Sequence, residues 1–204
     1  GYHAMSLVRK LLGVGFASPT VSGRRFTAPL IAGPGRSGPP VSESMSDSTQ
    51  EFVFFDFGDK LALYDFTYAQ YFSYIRRLRL LVQGERGEIS DNEATYLSDF
   101  RTPVNVRFER HEAGPNGNLE GYYLKGIQAG EHWVYRNPLA PASMSDDEIA
   151  VGTCLLRMAR YVETGESFYS IEEACQDTYL EMAAQEALKS GGAVRTQPQS
   201  WAKA

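Results

Sequence analysis

Short apolar runs separated by tight turns occupy residues 51–136 and restrict the folds that this chain can adopt. Two aromatic-rich runs, 51–57 and 61–67, are separated only by a Gly58-Asp59 turn. Turns of hairpin length join antiparallel strands, because parallel neighbours need a crossover of about a dozen residues or more. The pattern predicts an antiparallel sheet of about six or more strands with one apolar face. The other predicted strands are 79–83, 88–90, 103–110, 119–127 and 132–135.

Two helix starts follow these strands. Ser145 and Ser170 each precede a glutamate by three residues, at Glu148 and Glu173, which is the spacing of a capping box. Helices that follow a run of strands favour an α+β fold. We therefore expect a large, open, mostly antiparallel sheet with helices packed on one face.

The first 50 residues are predicted to form a helix, a strand and an arm. Apolar residues recur at helical spacing from Met5 to Leu12, with Arg9 and Lys10 on the polar face. With 204 residues, the chain is expected to be one domain, 1–204. Its predicted parts are a helix in 1–15, a strand and a Pro/Gly/Ser-rich arm in 20–50, the sheet in 51–136 and two helices in 145–191.

The charge is unevenly distributed along the chain. Residues 1–42 carry five basic side chains and no acidic one, whereas the other 162 residues carry 15 basic and 25 acidic side chains. A basic, acid-free start is typical of a mitochondrial presequence. Glycine and proline at 13–23 oppose a long helix there, so a cytoplasmic location is the preferred prediction.

Composition and charge also bear on the partners. An isoelectric point near 5.3 opposes a surface that binds nucleic acid. No apolar run reaches the ~18 residues that a membrane span needs. Two cysteines, Cys154 and Cys175, are too few for a disulfide scaffold, and without metal-ligand spacing they are interpreted as small buried residues. We expect neither nucleic acid nor a membrane as a partner.

Several patterns suggest chemistry only weakly. Residues 33–38 match G-x-G-x-x-G, but no helix is predicted after them, so they are interpreted as a loop and not as a nucleotide site. His111 and His132 are interpreted as packing or surface residues. Asp56 and Asp65 flank the 58–59 turn, and paired carboxylates can divide acid and base roles. Two solvated aspartates on the open face of the sheet are the preferred interpretation.

His3 differs because it stands at the first turn of a predicted helix. Backbone N–H groups at a helix N-terminus disfavour a protonated imidazole. A neutral imidazole can accept or relay a proton near neutral pH. Taken alone, the position is better explained as a residue at a frayed chain end.

Four segments are more informative together than alone. They read GYHAMSLVR (1–9), LLVQGERGEI (80–89), SDDEIA (145–150) and SFYSIEEA (167–174). The first is similar to the end of a G-G-x-x-x-D-x-G-x-H segment that runs into a helix. In this order and spacing the four segments resemble the C-terminal half of the glucose–fructose oxidoreductase and inositol dehydrogenase family (Gfo/Idh/MocA).

The resemblance implies an oxidoreductase C-terminal domain, similar to that of glyceraldehyde-3-phosphate dehydrogenase, without its Rossmann domain. It implies NAD or NADP as the cofactor of the full-length protein, with none bound to this chain, and a sugar or polyol substrate. It also implies a homo-oligomer formed through the sheet. His3 would be the catalytic residue, and Tyr2, Tyr71 and Tyr74 would bind substrate. The chain departs from the family in having no E-K-P lysine, and the aspartate of the motif would precede Gly1.

Two functions are therefore kept. The first is the substrate-binding and oligomerisation domain of an NAD(P)-dependent oxidoreductase, expected to be inactive as this fragment. The alternative is a stand-alone, non-catalytic interaction or dimerisation module that uses its open sheet face. The aromatic strands at 52–57 and 61–74 would supply the anchors of such an interface. Whether the chain is an enzyme by itself is left open.

Overall fold

A computed structural model describes residues 2–70, 72–114 and 122–203. The chain divides into two compact units, formed by residues 1–78 with 169–204 and by residues 79–168. The described residues form α-helices and two antiparallel sheets, which confirms the α+β class. The strands are shared between a four-stranded and a six-stranded sheet. That residues 1–204 act as one functional domain stays a prediction.

The four-stranded sheet belongs to the first unit and has the order β10-β1-β2-β3, antiparallel throughout. Both strands extend into the residues predicted to form the arm, so only residues 32–44 separate β1 from β2. Two threonine hydroxyls, of Thr27 and Thr49, lie 2.9 Å apart across this extension. The strands are β1 (Thr20–Ile31), β2 (Met45–Asp56), β3 (Leu61–Thr67) and β10 (Val194–Arg195).

Two helices, α1 (Tyr2–Leu12) and α3 (Ile171–Ser190), cover one face of this sheet. Gly23 in β1 permits the close approach of α3, because a Cβ there would lie 3.0 Å from a methyl carbon of Leu188. Short 3-10 turns lie at Tyr68–Gln70 and Ser200–Lys203. The buried core between helices and sheet consists of Met5, Val21, Val53, Phe55, Leu180, Ala183, Ala184, Ala187 and Leu188.

The second unit holds the six-stranded sheet, whose strands follow one another in chain order. Gly126 in this sheet lies where a Cβ would overlap the carbonyl oxygen of Tyr135 and come within 2.8 Å of the Trp133 ring. The strands are β4 (Leu81–Gly84), β5 (Gly87–Ser90), β6 (Glu93–Leu97), β7 (Pro103–Ala113), β8 (Tyr123–Ala129) and β9 (His132–Arg136). Of the predicted strand 119–127, residues 119–121 lie outside the described part of the chain.

Helix α2 (Asp146–Thr164) also belongs to the second unit, and it buries only Ile149 completely. Both predicted capping boxes are confirmed, at Ser145 before α2 and at Ser170 before α3. Both helices end at a glycine in the left-handed conformation, Gly165 and Gly191. The local sequence therefore sets where these two helices begin and end.

Candidate functional site

His3 lies in the first turn of α1 with its side chain exposed. Its backbone carbonyl accepts a hydrogen bond of 3.2 Å from the Ser6 hydroxyl. Two residues further along, Met5 is fully buried in the core. The helix therefore presents an exposed imidazole from a backbone that is fixed against α3 and the sheet.

Arg9 is the second residue that fixes α1, and it is only 4% exposed. Its Nε donates to the carbonyl of Gly15 at 2.8 Å, and its Nη1 donates to the carbonyl of Glu173 at 3.0 Å. The same Nη1 lies 2.7 Å from Oδ1 of Asp177 on α3. The sequence placed Arg9 on the polar face of the helix. That prediction is wrong, because the partners of the guanidinium lie in the α1–β1 loop and on α3.

Asp177 completes this buried group and is itself buried. Its other carboxylate oxygen, Oδ2, accepts a hydrogen bond from the phenol of Tyr169. Burial, followed by that hydrogen bond, raises the pKa of Tyr169 to about 12. At the surface, Lys10 forms an ion pair of 2.8 Å with Glu173 and lowers the pKa of that carboxyl. Two ion pairs thus join α1 to α3, one buried and one exposed.

The predicted substrate tyrosines are placed unevenly. Tyr2 is the first residue of α1, but its side chain lies outside the described part of the structure. Tyr71 also lies outside the described residues. Tyr74 follows the Tyr68–Gln70 turn in an irregular segment and is 81% exposed. Their roles as substrate ligands stay predictions.

Three aromatic rings form a row, two on the face of β3 that the helices cover and one in the 3-10 turn that follows the strand. Tyr64 and Phe66 stack with ring centroids 5.8 Å apart, and Phe66 meets Tyr68 edge-on at 5.1 Å. Tyr64 packs against the buried core, whereas Tyr68 is largely exposed. The row therefore runs from the core out to solvent, along the strand that precedes the predicted tyrosines.

The opposite face of the four-stranded sheet carries exposed apolar side chains. Phe54 is 42% exposed, and its cross-strand neighbour Leu63 is 55% exposed. Phe52 shares this face and is paired with Arg24 on β1 and with Asp65 on β3. Residues directly opposite one another in antiparallel strands share a face. A basic and an acidic side chain therefore flank the apolar centre of this surface, which we call the open face.

The aspartate pair and the glycine-rich segment do not form sites. Asp56 accepts the backbone N–H of Gly58 at 2.8 Å, and Asp65 accepts from the Gln50 amide at 2.5 Å. Four residues of β3 separate their register positions, about 13 Å, which is too far for a shared proton. Residues 33–38 lie between β1 and β2, so a strand follows them instead of a helix.

The remaining histidine and cysteine predictions have mixed outcomes. His111 stacks edge-on against Trp133 at 5.5 Å, as a packing residue does, and His132 begins β9. Both cysteines are free, but Cys154 is exposed, so its predicted burial is wrong. Among the described residues, no group of three or more His, Cys, Asp or Glu side chains could hold a metal ion.

Comparisons with known proteins add no relative. No family model matches the chain, and neither a curated protein nor a solved structure matches it. Within the described residues, no helix is long and apolar enough to cross a membrane.

Proposed function

We propose that this chain is the sheet domain of an NAD(P)-dependent oxidoreductase that acts on a sugar, a polyol or a related hydroxy compound. The proposal has two parts. His3 handles the proton of the reacting hydroxyl, and the open face joins the domain to a second copy. The four family-like segments support the first part, and the exposed apolar side chains of the open face support the second.

The observation that carries the catalytic part is the position of His3. The imidazole is exposed, while Met5 and Arg9 of the same helix are buried within six residues of it. A proton-transfer group must reach its substrate yet hold a fixed orientation. An exposed histidine on an anchored helix meets both requirements, which a histidine at a frayed chain end does not.

The chemistry asked of His3 is a single proton transfer. In the proposed enzyme a bound nicotinamide nucleotide would supply the hydride chemistry, and His3 would handle the proton of the substrate hydroxyl. A neutral imidazole nitrogen within hydrogen-bond distance of that oxygen accepts the proton, and the reverse transfer serves the reduction. General acid–base catalysis of this kind contributes about 10²–10⁴-fold to the rate.

The described residues do not fit the nucleotide itself. A pyrophosphate site of the dinucleotide type needs a glycine turn between a strand and a helix, whose N-terminus faces the phosphates. The glycine segment at 33–38 joins two strands of a hairpin. In the proposed enzyme the nucleotide is therefore held by residues other than those that the structure describes. Calorimetry of this chain with NAD should detect no binding, and micromolar affinity would contradict the proposal.

The open face is suited to a second copy of itself. If two such faces pack together about a two-fold axis that runs along β2, β1 of each copy lies over β3 of the other. Arg24 of one copy then faces Asp65 of the second, and the reverse contact occurs by symmetry. Packed sheets lie ~10 Å apart, a distance that an arginine and an aspartate side chain span together.

Turnover by the protein of the complete reading frame tests the proposal. Reduction of NAD and NADP would be followed with a panel of aldoses, inositols and linear polyols. Saturable reduction with at least one of them is the expected result. A complete protein that contains this domain but reduces neither nucleotide with any member of the panel would contradict it.

The open face alone favours a second candidate, a non-catalytic dimerisation module. Both candidates predict a dimer through the face that carries Phe52 and Phe54. They differ at His3, because a module has no use for an exposed imidazole there. Substitution of His3 then changes nothing in the module, whereas it lowers turnover in the enzyme.

A further inference from the structure

The contact between α1 and α3 contains an ion pair that burial makes costly. Arg9 and Asp177 have side chains that are 4% and 8% exposed. Both charged groups lose their hydration when they are buried, and this desolvation costs free energy. A buried ion pair of this kind often adds no net stability compared with apolar residues of similar size. A contribution other than stability therefore explains this pair better.

Met5, the other buried residue of α1, holds the helix against the core but does not by itself set the rotation of the helix. Met5 is fully buried, but methionine is flexible and adapts to irregular space. The guanidinium of Arg9 is a rigid planar fork, and here its donors meet acceptors on the α1–β1 loop and on α3. The Phe16 ring packs against the same guanidinium, and its centroid lies 5.2 Å from Cζ of Arg9. The guanidinium therefore fixes the rotation of α1 about the helix axis and the position of α1 along α3.

The carboxylate of Asp177 is itself held by a second residue, so the guanidinium of Arg9 binds a partner of fixed position. One carboxylate oxygen binds Arg9 and the other accepts from the phenol of Tyr169. Asp177 lies in the second turn of α3, whose start is set by the capping box at Ser170. Asp177 therefore holds the Arg9 guanidinium at a fixed position along α3.

From these contacts we infer that Arg9 and Asp177 are positioning residues, whose buried ion pair fixes the orientation of His3 through helix α1. The inference rests on the proposed function for its purpose, since only a reacting imidazole needs a fixed orientation. The exposed pair of Lys10 and Glu173 joins the same two helices but does not position the helix, because a solvated ammonium has no preferred direction.

The imidazole resonance of His3 tests the inference in this chain. The sequence has three histidines, so isotope-labelled histidine gives three ring signals, and a His3→Ala variant assigns the one of interest. The test variant is Arg9→Met/Asp177→Leu, which replaces the ion pair by apolar side chains of similar size. Its matched control is Lys10→Met, which removes the exposed ion pair between the same helices.

The expected result is a displaced or exchange-broadened His3 signal in the double variant. The signals of His111 and His132, which lie in the second unit, stay in place. Lys10→Met leaves all three signals unchanged. A folded double variant whose His3 signal coincides with that of the parent chain would overturn the inference.

A second variant covers the case in which the double variant does not fold. Arg9→Lys keeps the charge beside Asp177 but loses the planar fork. A shifted His3 signal in this folded variant supports the inference, and an unchanged signal overturns it.

Turnover separates this inference from the proposed function. In the complete protein, Arg9→Lys should lower kcat by about 10-fold to 100-fold with KM nearly unchanged, because a misplaced catalytic group slows the reaction more than it weakens binding. If His3→Ala leaves turnover intact, the proposed function fails. If His3→Ala abolishes turnover while Arg9→Lys changes neither kcat nor the His3 signal, only the positioning inference fails.

Discussion

Arg24 and Asp65 lie in one row of the four-stranded sheet, on either side of Phe52. Arg24 on β1 and Asp65 on β3 therefore place opposite charges one strand away from β2 on each side. A surface of this kind is complementary to its own copy, which an isologous dimer requires. In the proposed dimer the apolar centre would supply the association energy, and the two charges would select the alignment.

The apolar centre of the open face is tested by Phe54→Asp. The substitution puts a charge into the middle of the proposed interface, so the dimer should dissociate about 30-fold or more readily, which corresponds to about 2 kcal/mol. Light scattering with size-exclusion chromatography measures the mass, expected near twice 22.7 kDa for the parent chain. Met182→Asp is the matched control, since Met182 is exposed on α3, away from this face. A dimer that survives Phe54→Asp argues against the open face as its interface.

The charge row is tested by reversal. Arg24→Asp places two aspartates opposite each other at both symmetric contacts, and Asp65→Arg does the same with two arginines. Each single variant should weaken the dimer, and the double variant Arg24→Asp/Asp65→Arg should recover most of the loss. Sedimentation equilibrium gives the four dissociation constants, one for the parent chain and one for each of the three variants. Losses that simply add in the double variant would rule out this alignment.

Gly126 in the six-stranded sheet is expected to be intolerant of any side chain. Gly126→Ala would drive a methyl group into the carbonyl oxygen of Tyr135 and the ring of Trp133. The cost is about 2 kcal/mol, or about 5 °C in thermal midpoint. Gly35→Ala is the control, because no atom lies within 4 Å of its added Cβ. Calorimetric unfolding gives the thermal midpoints of both variants, and equal midpoints would contradict the close packing around Gly126.

Tyr169 gives the first unit a specific response to alkaline pH. Its pKa is raised from 10.0 to about 12 by burial and by the hydrogen bond to Asp177, so the folded state favours the neutral phenol. This contribution to stability is complete below pH 10 and is lost as the pH rises through about 12. Between these values the parent chain should lose more stability than Tyr169→Phe does. Phenolate absorbance and chemical unfolding at each pH check this, and parallel losses in both chains would contradict it.

Local sequence was sufficient for the elements whose signals lie within a few residues. Ser145 and Ser170 with their glutamates define the starts of α2 and α3, and Gly165 and Gly191 define their ends. The hairpin of β2 and β3 follows equally from two aromatic runs and one short turn. In each case the deciding contacts are made between neighbours in the chain.

Contacts between distant residues could not be read in the same way. Strand β10 has only two residues and pairs with the start of β1, and β6 shows little apolar alternation. The sequence also could not show that β3 and β4 belong to different sheets, because the irregular connection between them carries no pairing signal.

In the candidate site, too, features set by neighbouring residues were predictable and features set by distant residues were not. An exposed histidine in the first turn of a helix was predictable from the spacing of apolar residues near it. The burial of Arg9 was not, because its partner Asp177 lies 168 residues away in the sequence. An arginine next to a lysine on a short helix is typical of a polar face, and only the position of α3 reverses that interpretation.

The catalytic role of His3 is tested by the turnover number of His3→Ala in the protein of the complete reading frame, measured with a substrate that the parent protein oxidises. We expect kcat to fall by about 10²–10⁴-fold while the affinity for the nucleotide changes little. The loss should follow the imidazole, since the remainder of α1 stays anchored by Met5 and Arg9. A variant with the turnover of the parent protein, or one that loses nucleotide affinity and turnover equally, would contradict the catalytic role of His3.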